Sequence, residues 1–317
     1  MAVDLERVIF IIGVGRSGTT LLQCMLNAHS RVAFLPETHF LRRYADKPRL
    51  AAKVRRRGMK TLLSRLRRDA DVGRAGIDPE YFSDSPDMRE WFRRLLRYYA
   101  STRKADRVGE KDPKNIEHLP LIRQWFPRAQ VIHLVRDPRD VMVSRLRAAW
   151  SRRQPFLFHL AACRLQLNLG CSLGPKLFAG AYREIRYEDL VTRPHETLQS
   201  LCRHLGLDYE PAMLDYTAAA KELISQAEAE WKGNCFRPVM TGNTGNWRGV
   251  LPPRRLRRIE WVCAETFARF AYPRECIDPP PLHRKAAAWF WNSLFHLVEM
   301  GYRLRYARQP LREKVRP

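Results

Sequence analysis

The sequence has few cysteines, no closely spaced cysteine pair and no long hydrophobic run. Seven cysteines are scattered between Cys24 and Cys276, and no two of them form a CxxC pair. This pattern is not that of a zinc site or a disulfide framework, so we expect reduced thiols and a cytoplasmic location. The apolar run at Val8–Val14 is too short to cross a bilayer, and the acidic residues before it disfavour a signal peptide. We interpret this run as a buried strand.

Acidic residues are scarce relative to basic ones. The 317 residues include 33 Asp and Glu against 57 Lys and Arg, which gives a net charge of +24. Such an excess favours an anionic partner, such as a nucleotide, a nucleic acid, an acidic polymer or a membrane surface, over a neutral one. The alternative is a solvated basic surface without a specific partner. Hydrophobic residues make up 45% of the chain, which excludes a wholly disordered protein.

Strand and helix patterns alternate along most of the chain. β-rich runs occupy 8–14, 32–35, 107–110, 131–135 and 181–186, and helical spacing follows most of them. The alternation predicts an α/β domain over residues 1–277, in which helices flank a central parallel sheet. Residues 40–105 form a helical, basic insert, with 13 Lys and Arg against three acidic residues in 42–74. We expect this insert to form a cap or an exposed arm.

Residues 278–317 predict a separate C-terminal helical tail. Three prolines follow Asp278, and the uncharged stretch 286–298 is amphipathic but too short to span a membrane. Basic residues flank it on both sides, so the segment 284–316 has the features of a helix that lies in a membrane interface. The alternative is that it packs on the domain or on a partner. Membrane contact would make the protein peripheral at the inner membrane surface.

A glycine-rich segment joins the first predicted strand to the first predicted helix. It reads Gly13-Val14-Gly15-Arg16-Ser17-Gly18-Thr19-Thr20. Its glycines let backbone N–H groups approach an anion, and the helix start adds partial positive charge. The spacing matches a Walker A loop, but Thr19 stands where that loop has its lysine. An ATPase or kinase needs that lysine beside Mg²⁺, whereas Arg16 and the nearby hydroxyls can hold a terminal phosphosulfate without a metal.

A second candidate anion site follows the strand at 131–135. Arg136 stands at the end of this strand, and Asp137 and Pro138 suit the start of a helix. Ser144 lies eight residues after Arg136, which is about two helical turns. The two side chains are therefore candidates to meet at one phosphate. The alternative for this segment alone is a capped helix with surface arginines.

The two segments together resemble the sulfotransferase superfamily, whose members use 3′-phosphoadenosine 5′-phosphosulfate (PAPS) and release its desulfonated product, PAP. The resemblance implies a fold like that of P-loop NTPases. It also implies that Arg16, Ser17, Gly18, Thr19 and Thr20 bind the 5′-phosphosulfate, and that Arg136 and Ser144 bind the 3′-phosphate.

Three later segments extend the resemblance. Lys111-Asp112-Pro113 and Arg186-Tyr187-Glu188-Asp189-Leu190 are similar to motifs of tyrosylprotein sulfotransferases and of bacterial-type sulfotransferases. The stretch 237–248, which contains Trp247, is similar to the late loop that closes over the nucleotide in this family. The chain departs from the family where Trp231 and Asn246 replace a serine and a lysine, and Lys232 and Arg248 are the nearby cations.

The resemblance also implies catalytic roles. Glu37 corresponds to the family's general base, and burial in an apolar pocket is expected to raise its pKa. His39 is the rival base, because some cytosolic relatives use histidine. Lys111 and Arg16 are the candidates to stabilise the leaving oxygen. Tyr187 either lines the nucleotide pocket or is a core aromatic.

These features favour a PAPS-dependent sulfotransferase that transfers a sulfuryl group in line to a hydroxyl of a lipid, a glycan or a tyrosine. A nucleotide-dependent phosphotransferase or kinase is the first alternative, and the missing Walker lysine disfavours it. A non-catalytic basic protein that binds nucleic acid or membrane is the second. It explains the net charge but not the joint presence of the glycine loop, Arg136 and Lys111, and no nucleic-acid-binding motif is present.

Overall fold

A five-stranded parallel sheet forms the centre of the molecule. The structure, a computed structural model, describes residues 3–148 and 154–276 together with Ser293, Leu297 and Met300. Within this part of the chain the strands are β1 (Asp4–Gly13), β2 (Val32–Phe34), β3 (Arg107–Lys111), β4 (Gln130–Val135) and β5 (Tyr182–Arg186). Their order in the sheet is β2-β3-β1-β4-β5, and every neighbouring pair is parallel. The predicted α/β class and the parallel sheet are confirmed.

Helices cover both faces of this sheet. They are α1 (Thr19–Asn27), α2 (Pro48–Arg57), α3 (Lys60–Arg68), α4 (Ala70–Gly73), α5 (Met88–Thr102), α6 (Leu119–Trp125), α7 (Pro138–Arg147), α8 (Phe156–Phe178), α9 (Tyr187–Thr192), α10 (Pro194–Leu205), α11 (Thr217–Leu223), α12 (Gln226–Lys232), α13 (Pro253–Val262) and α14 (Ala264–Arg269). A π-helical turn at Leu41–Ala45 precedes α2. Among the described residues, no helix combines the length and apolar character needed to cross a membrane.

The side chains of β1 alternate between two hydrophobic cores. Phe10 belongs to the core on one face of the sheet, whereas Ile9 and Ile11 belong to the core on the other face. This is the period of two that a strand buried on both faces must have. The first core also contains Trp91 of α5 and Leu62 of α3. The basic insert therefore buries apolar side chains against the sheet, while charged side chains such as Arg55, Arg56 and Arg57 remain exposed.

The register of the strands brings their functional ends to one edge. Ile11 of β1 pairs with Lys111 of β3, and Gly13 of β1 pairs with Leu134 of β4. The glycine-rich segment, Lys111 and Arg136 thus all emerge at the carboxyl ends of three adjacent strands. Ligands of open parallel sheets bind at this edge.

Two sequence-based expectations concern features away from this edge. All seven cysteines carry free thiols in the structure. The predicted amphipathic tail at 278–317 lies outside the described residues, apart from the three single positions named above.

Candidate active site

The glycine-rich segment turns sharply from β1 into α1. A Cβ on Gly13 would lie 2.6 Å from the carbonyl oxygen of Leu134, and a Cβ on Gly18 would lie 2.4 Å from the ring of Tyr187. Gly18 has φ of 91° and Arg16 has φ of 85°, which is unusual for a residue with a side chain. The first turn of α1 carries no acidic residue. Its backbone N–H groups therefore face a space suited to an anion.

The segment after β4 contacts the glycine-rich segment directly. Nη1 of Arg136 donates to the carbonyl oxygen of Arg16 at 3.3 Å, and Nη2 donates to the carbonyl oxygen of Asn243 at 2.8 Å. The guanidinium lies 4.4 Å from the centre of the Tyr187 ring. Asp137 caps α7 by accepting a hydrogen bond from the backbone N–H of Arg139 at 2.8 Å. The capped helix holds Arg136 beside the loop.

Arg16 links this loop to two distant segments. Its Nε donates to Oγ of Ser144 at 3.1 Å, and its Nη2 donates to the carbonyl oxygen of Trp231 at 2.8 Å. Burial and the nearby charge of Arg136 both lower the pKa of Arg16. The structure thus brings together Arg16, Arg136 and Ser144, the three side chains that the sequence places at two anion sites.

Two buried polar atoms at this edge lack a hydrogen-bond partner among the described residues. They are Oγ of Ser17 and Nε of Arg136. A buried donor without a partner is costly. The guanidinium groups of Arg16 and Arg136 and the hydroxyl of Ser17 lie in adjoining segments at this edge, and donors of these kinds suit a multiply charged phosphate ligand.

A lysine from β3 lies at the start of α1, close to Thr19, which stands where a Walker A loop has its lysine. Nζ of Lys111 donates to Oγ1 of Thr20 at 3.0 Å and also contacts the carboxylate of Glu37. Its side chain is fully buried, and this burial lowers its pKa even though Glu37 opposes the effect. A cation therefore reaches the start of α1 from the adjacent strand rather than from the loop itself.

Glu37 follows β2 and contacts two lysines. Besides Lys111, it accepts a hydrogen bond from Nζ of Lys232 at 2.7 Å. Burial alone would raise the pKa of Glu37, but the charges of Lys111 and Lys232 outweigh it and hold the pKa below its ordinary value. The expectation of a raised pKa is wrong for this arrangement, because the pocket around the carboxylate is cationic rather than apolar.

His39 lies beside Glu37 and contacts Asp112. Its Nδ1 is 2.7 Å from Oδ2 of Asp112, and the same oxygen accepts a hydrogen bond from Nε of Arg42 at 2.9 Å. The backbone of His39 has φ of 54°, in the left-handed region. Although burial opposes it, His39 and then Arg42 lower the pKa of Asp112. His39 is thus held by a carboxylate that remains ionised.

Asp140 anchors the late loop to α7. Its carboxylate accepts hydrogen bonds from the backbone N–H groups of Gly245 at 2.7 Å and Trp247 at 3.0 Å. The Trp247 side chain is buried, and the guanidinium of Arg139 lies 3.9 Å from its ring centre. Nδ2 of Asn243 donates to the hydroxyl of Tyr187 at 2.8 Å. The loop, the Tyr187 ring and Arg136 therefore form one wall of the site.

The two candidate cations near the late loop have different surroundings. Lys232 contacts Glu37, whereas the Arg248 side chain is 62% exposed and lies 3.8 Å from Glu275. The sequence alone does not predict the roles of Asp140 and Asn243, nor the contact of Lys232 with Glu37. Asp140 is the one with a local signal, because it stands in the first turn of the helix that carries Ser144.

Two groups of potential metal ligands occur among the described residues. Glu37, His39 and Asp112 form one, and His133, Cys171 and Glu184 form the other. Cationic side chains already contact the carboxylates in both groups, including Lys232 in the first and Arg269 in the second, at 2.9 Å from Glu184. This positive charge disfavours a divalent cation at either place.

Comparison with known proteins assigns the chain to a family. A model of the sulfotransferase family matches residues 8–211. The match covers well over half of the chain, so the protein belongs to the sulfotransferase family and is an enzyme of sulfuryl transfer.

Individual relatives agree with this assignment. Protein-tyrosine sulfotransferase 1 of Danio rerio is 26% identical over 283 residues, which cover 86% of this chain and 74% of the relative. An uncharacterized protein of Aquifex aeolicus (strain VF5) is 29% identical over 226 residues, which cover 67% of this chain and 27% of that protein. The sulfotransferase domain of the olefin synthase from Synechococcus PCC 7002 has a similar fold, with a TM-score of 0.60 and 21% identity. This alignment covers 86% of this chain and 96% of that domain.

Proposed function

We propose that this sulfotransferase uses PAPS as its donor and transfers the sulfuryl group to a hydroxyl of an acceptor. One observation carries the proposal: Arg136 and Ser144 both bond to Arg16, so the two anion-binding segments form one continuous cradle. A ligand with a single phosphate group would need only the glycine-rich segment. A nucleotide with charged groups at both its 5′ and 3′ positions would use both segments.

The residues of the cradle have distinct expected roles. Arg16, Ser17, Gly18, Thr19 and Thr20 would hold the 5′ side, and Arg136 and Ser144 would hold the 3′-phosphate. The unpartnered Oγ of Ser17 and Nε of Arg136 supply donors for these anions. Tyr187 and Trp247 would line the nucleotide pocket, since both are buried beside the cradle.

Proton transfer is assigned to Glu37. When bound, PAPS supplies an activated sulfuryl group attached to a phosphate oxygen. The Glu37 carboxylate would take the proton from the acceptor hydroxyl, and its lowered pKa keeps it ionised for this purpose. Nζ of Lys111, together with Arg16, would stabilise the negative charge that develops on the leaving oxygen. His39 is assigned a supporting role, because its Nδ1 is engaged with Asp112.

We further propose that these side-chain cations act without a metal ion. The acceptor is proposed to carry a hydroxyl on a lipid, a glycan or a tyrosine. Tyrosine peptides are the first class to test, because the relative from Danio rerio is a protein-tyrosine sulfotransferase. We also propose a cytoplasmic location, with peripheral membrane contact through 284–316.

Isothermal titration calorimetry with PAP and with ATP tests the donor assignment. We expect PAP to bind in the micromolar range without added metal, and to bind more tightly than ATP with Mg²⁺. Tighter binding of ATP with Mg²⁺ would instead support a phosphotransferase. Acceptors would then be identified by incubating the enzyme with radiolabelled PAPS and tyrosine peptides, glycans or lipids.

A further inference from the structure

Two lysines from distant parts of the chain contact one carboxylate oxygen. Lys111 of β3 and Lys232 of α12 both contact Oε1 of Glu37, and the Lys232 contact is 2.7 Å. The Glu37 and Lys232 side chains are only 11% and 10% exposed. This contact is therefore a largely desolvated ion pair rather than a surface pair. Removing one partner of such a pair destabilises a protein more than removing one partner of an exposed pair, because it leaves an uncompensated buried charge.

The helix that carries Lys232 is fixed at the site by several bonds. Glu228, one turn earlier, contacts Lys232 and accepts a hydrogen bond from Arg74 at 2.6 Å. Ser225 and Glu228 also form a capping box at the start of α12. In addition, the carbonyl oxygen of Trp231 accepts the 2.8 Å bond from Arg16. Lys232 is thus held by its own helix, by the insert and by the glycine-rich segment.

Lys111 and Lys232 differ in their second contacts. Lys111 reaches Thr20 at the start of α1, whereas Lys232 reaches Glu228 on its own helix. Under the proposed function, Lys111 turns its charge to the leaving oxygen. Glu37 would then be a buried carboxylate that depends on its remaining partner, because an unpaired buried carboxylate becomes protonated.

We propose that Lys232 is a positioning residue, which holds Glu37 in place as an ionised base while Lys111 serves the leaving oxygen. This inference rests on the proposed function. It also concerns the position next to Trp231, where the resemblance to the family implies a serine. In this chain the same turn supplies a cation one residue later, and the cation acts through the base.

Several other titratable groups lie near Glu37 and contribute to its titration. They are Lys111 and Glu110 on β3, Asp112 after β3, His39 on its own loop, Arg16 in the glycine-rich segment, and Glu228 on α12. Of these, Lys111 lowers the pKa of Glu37 the most and so opposes the effect of burial most strongly. The test must therefore change Lys232 alone and leave Lys111 in place.

Direct titration of Glu37 tests the inference. The protein would be labelled with ¹³C at the glutamate side-chain carboxyls, and the Glu37 resonance would be identified by its loss in Glu37→Gln. We expect Lys232→Met to shift the titration of Glu37 to higher pH, and Lys232→Arg to restore it. Lys221→Met changes an exposed lysine on α11 in the same way and should leave the titration unchanged. If Lys232→Met does not fold, Lys232→Gln provides the same comparison.

The outcomes separate this inference from the proposed function. Equal titration of Glu37 in the Lys232 and Lys221 variants would overturn the positioning role, whatever the donor is. Failure of the unchanged protein to bind PAP in calorimetry would overturn the donor assignment and leave the titration result intact. We expect Lys232→Met to retain PAP affinity within about threefold, and the shift in the Glu37 titration to become larger with saturating PAP.

Discussion

Nε of Arg16 donates a 3.1 Å hydrogen bond to Oγ of Ser144, which joins two segments 128 residues apart. One segment follows β1 and the other forms the second turn of α7. Because β1 and β4 are adjacent in the sheet, the segments that follow them lie side by side, although they are far apart in the sequence. The two anion-binding segments therefore cannot be changed independently, and variants in one are expected to affect ligand binding at the other.

Replacement of Arg136 by alanine is expected to weaken PAP binding. A hydrogen bond to a charged group contributes about 1.5–3 kcal/mol, which corresponds to about 10- to 100-fold in affinity. Calorimetry with PAP and with adenosine 5′-phosphate would show whether the loss is specific to the 3′-phosphate. Arg147→Ala, at an exposed position on the adjacent helix α7, is the control. Equal losses for both nucleotides would contradict the assignment of Arg136.

Glu37→Gln is expected to abolish turnover while sparing PAP affinity. Loss of a general base lowers kcat by about 10²- to 10⁴-fold. His39→Gln is expected to have a much smaller effect on kcat, because His39 is engaged with Asp112. Sulfuryl transfer to the identified acceptor and PAP calorimetry would measure the two effects. A larger loss of kcat in the His39 variant would assign the base to His39 instead.

Lys111→Met is expected to lower both kcat and stability. Removal of a positioned charge at a leaving group costs about 10²- to 10³-fold in kcat. Thermal unfolding should show a lower Tm, because Glu37 loses one of its two buried partners. The double variant with Glu37→Gln should recover part of this Tm. Lys114→Met, at an exposed position nearby, should match the unchanged protein in both measurements.

Asp140→Asn is expected to loosen the late loop. An asparagine offers one oxygen where the carboxylate accepts two backbone N–H groups, so one of these bonds is lost. Loss of about 1.4 kcal/mol of local stability would speed trypsin cleavage after Arg248 about tenfold and weaken PAP binding. Asp189→Asn, in an exposed i,i+4 pair with Arg193, is the control. Unchanged cleavage at Arg248 would show that the loop is held by other contacts.

The acid stability of the protein should depend on Glu228. Although burial opposes it, Lys232 lowers the pKa of this carboxyl to about 2 from an ordinary value of 4.5. Because the folded-state value is the lower one, its stabilising effect is complete above about pH 4.5 and is lost as the pH falls toward 2. Glu228→Gln should therefore destabilise the protein in urea at pH 7, by an amount that shrinks at pH 3. Glu230→Gln, exposed on the same helix, should show no such trend.

Much of the fold and of the anion cradle is predictable from the sequence. Strands in a parallel sheet end at one edge, so the glycine-rich segment and Arg136 follow from local patterns and from the order of elements. The catalytic environment of Glu37 is not predictable in this way. Its partner Lys232 lies 195 residues further along, and the sign of the pKa change of Glu37 depends on Lys111 and Lys232 together rather than on burial alone. Likewise, the absence of a Walker lysine at Thr19 gives no hint that Lys111 reaches Thr20 from another strand.

β1 lies between β3 and β4 in the sheet, and this order fixes the relative positions of Lys111, the glycine-rich segment and Arg136. Three neighbouring backbones deliver the lysine, the glycine turn and the arginine to one line of contact. The helices α2 to α5 lie between β2 and β3 in the chain and supply none of these three side chains. Changes on their exposed faces are therefore expected to leave the alignment of the lysine, the glycine turn and the arginine unchanged.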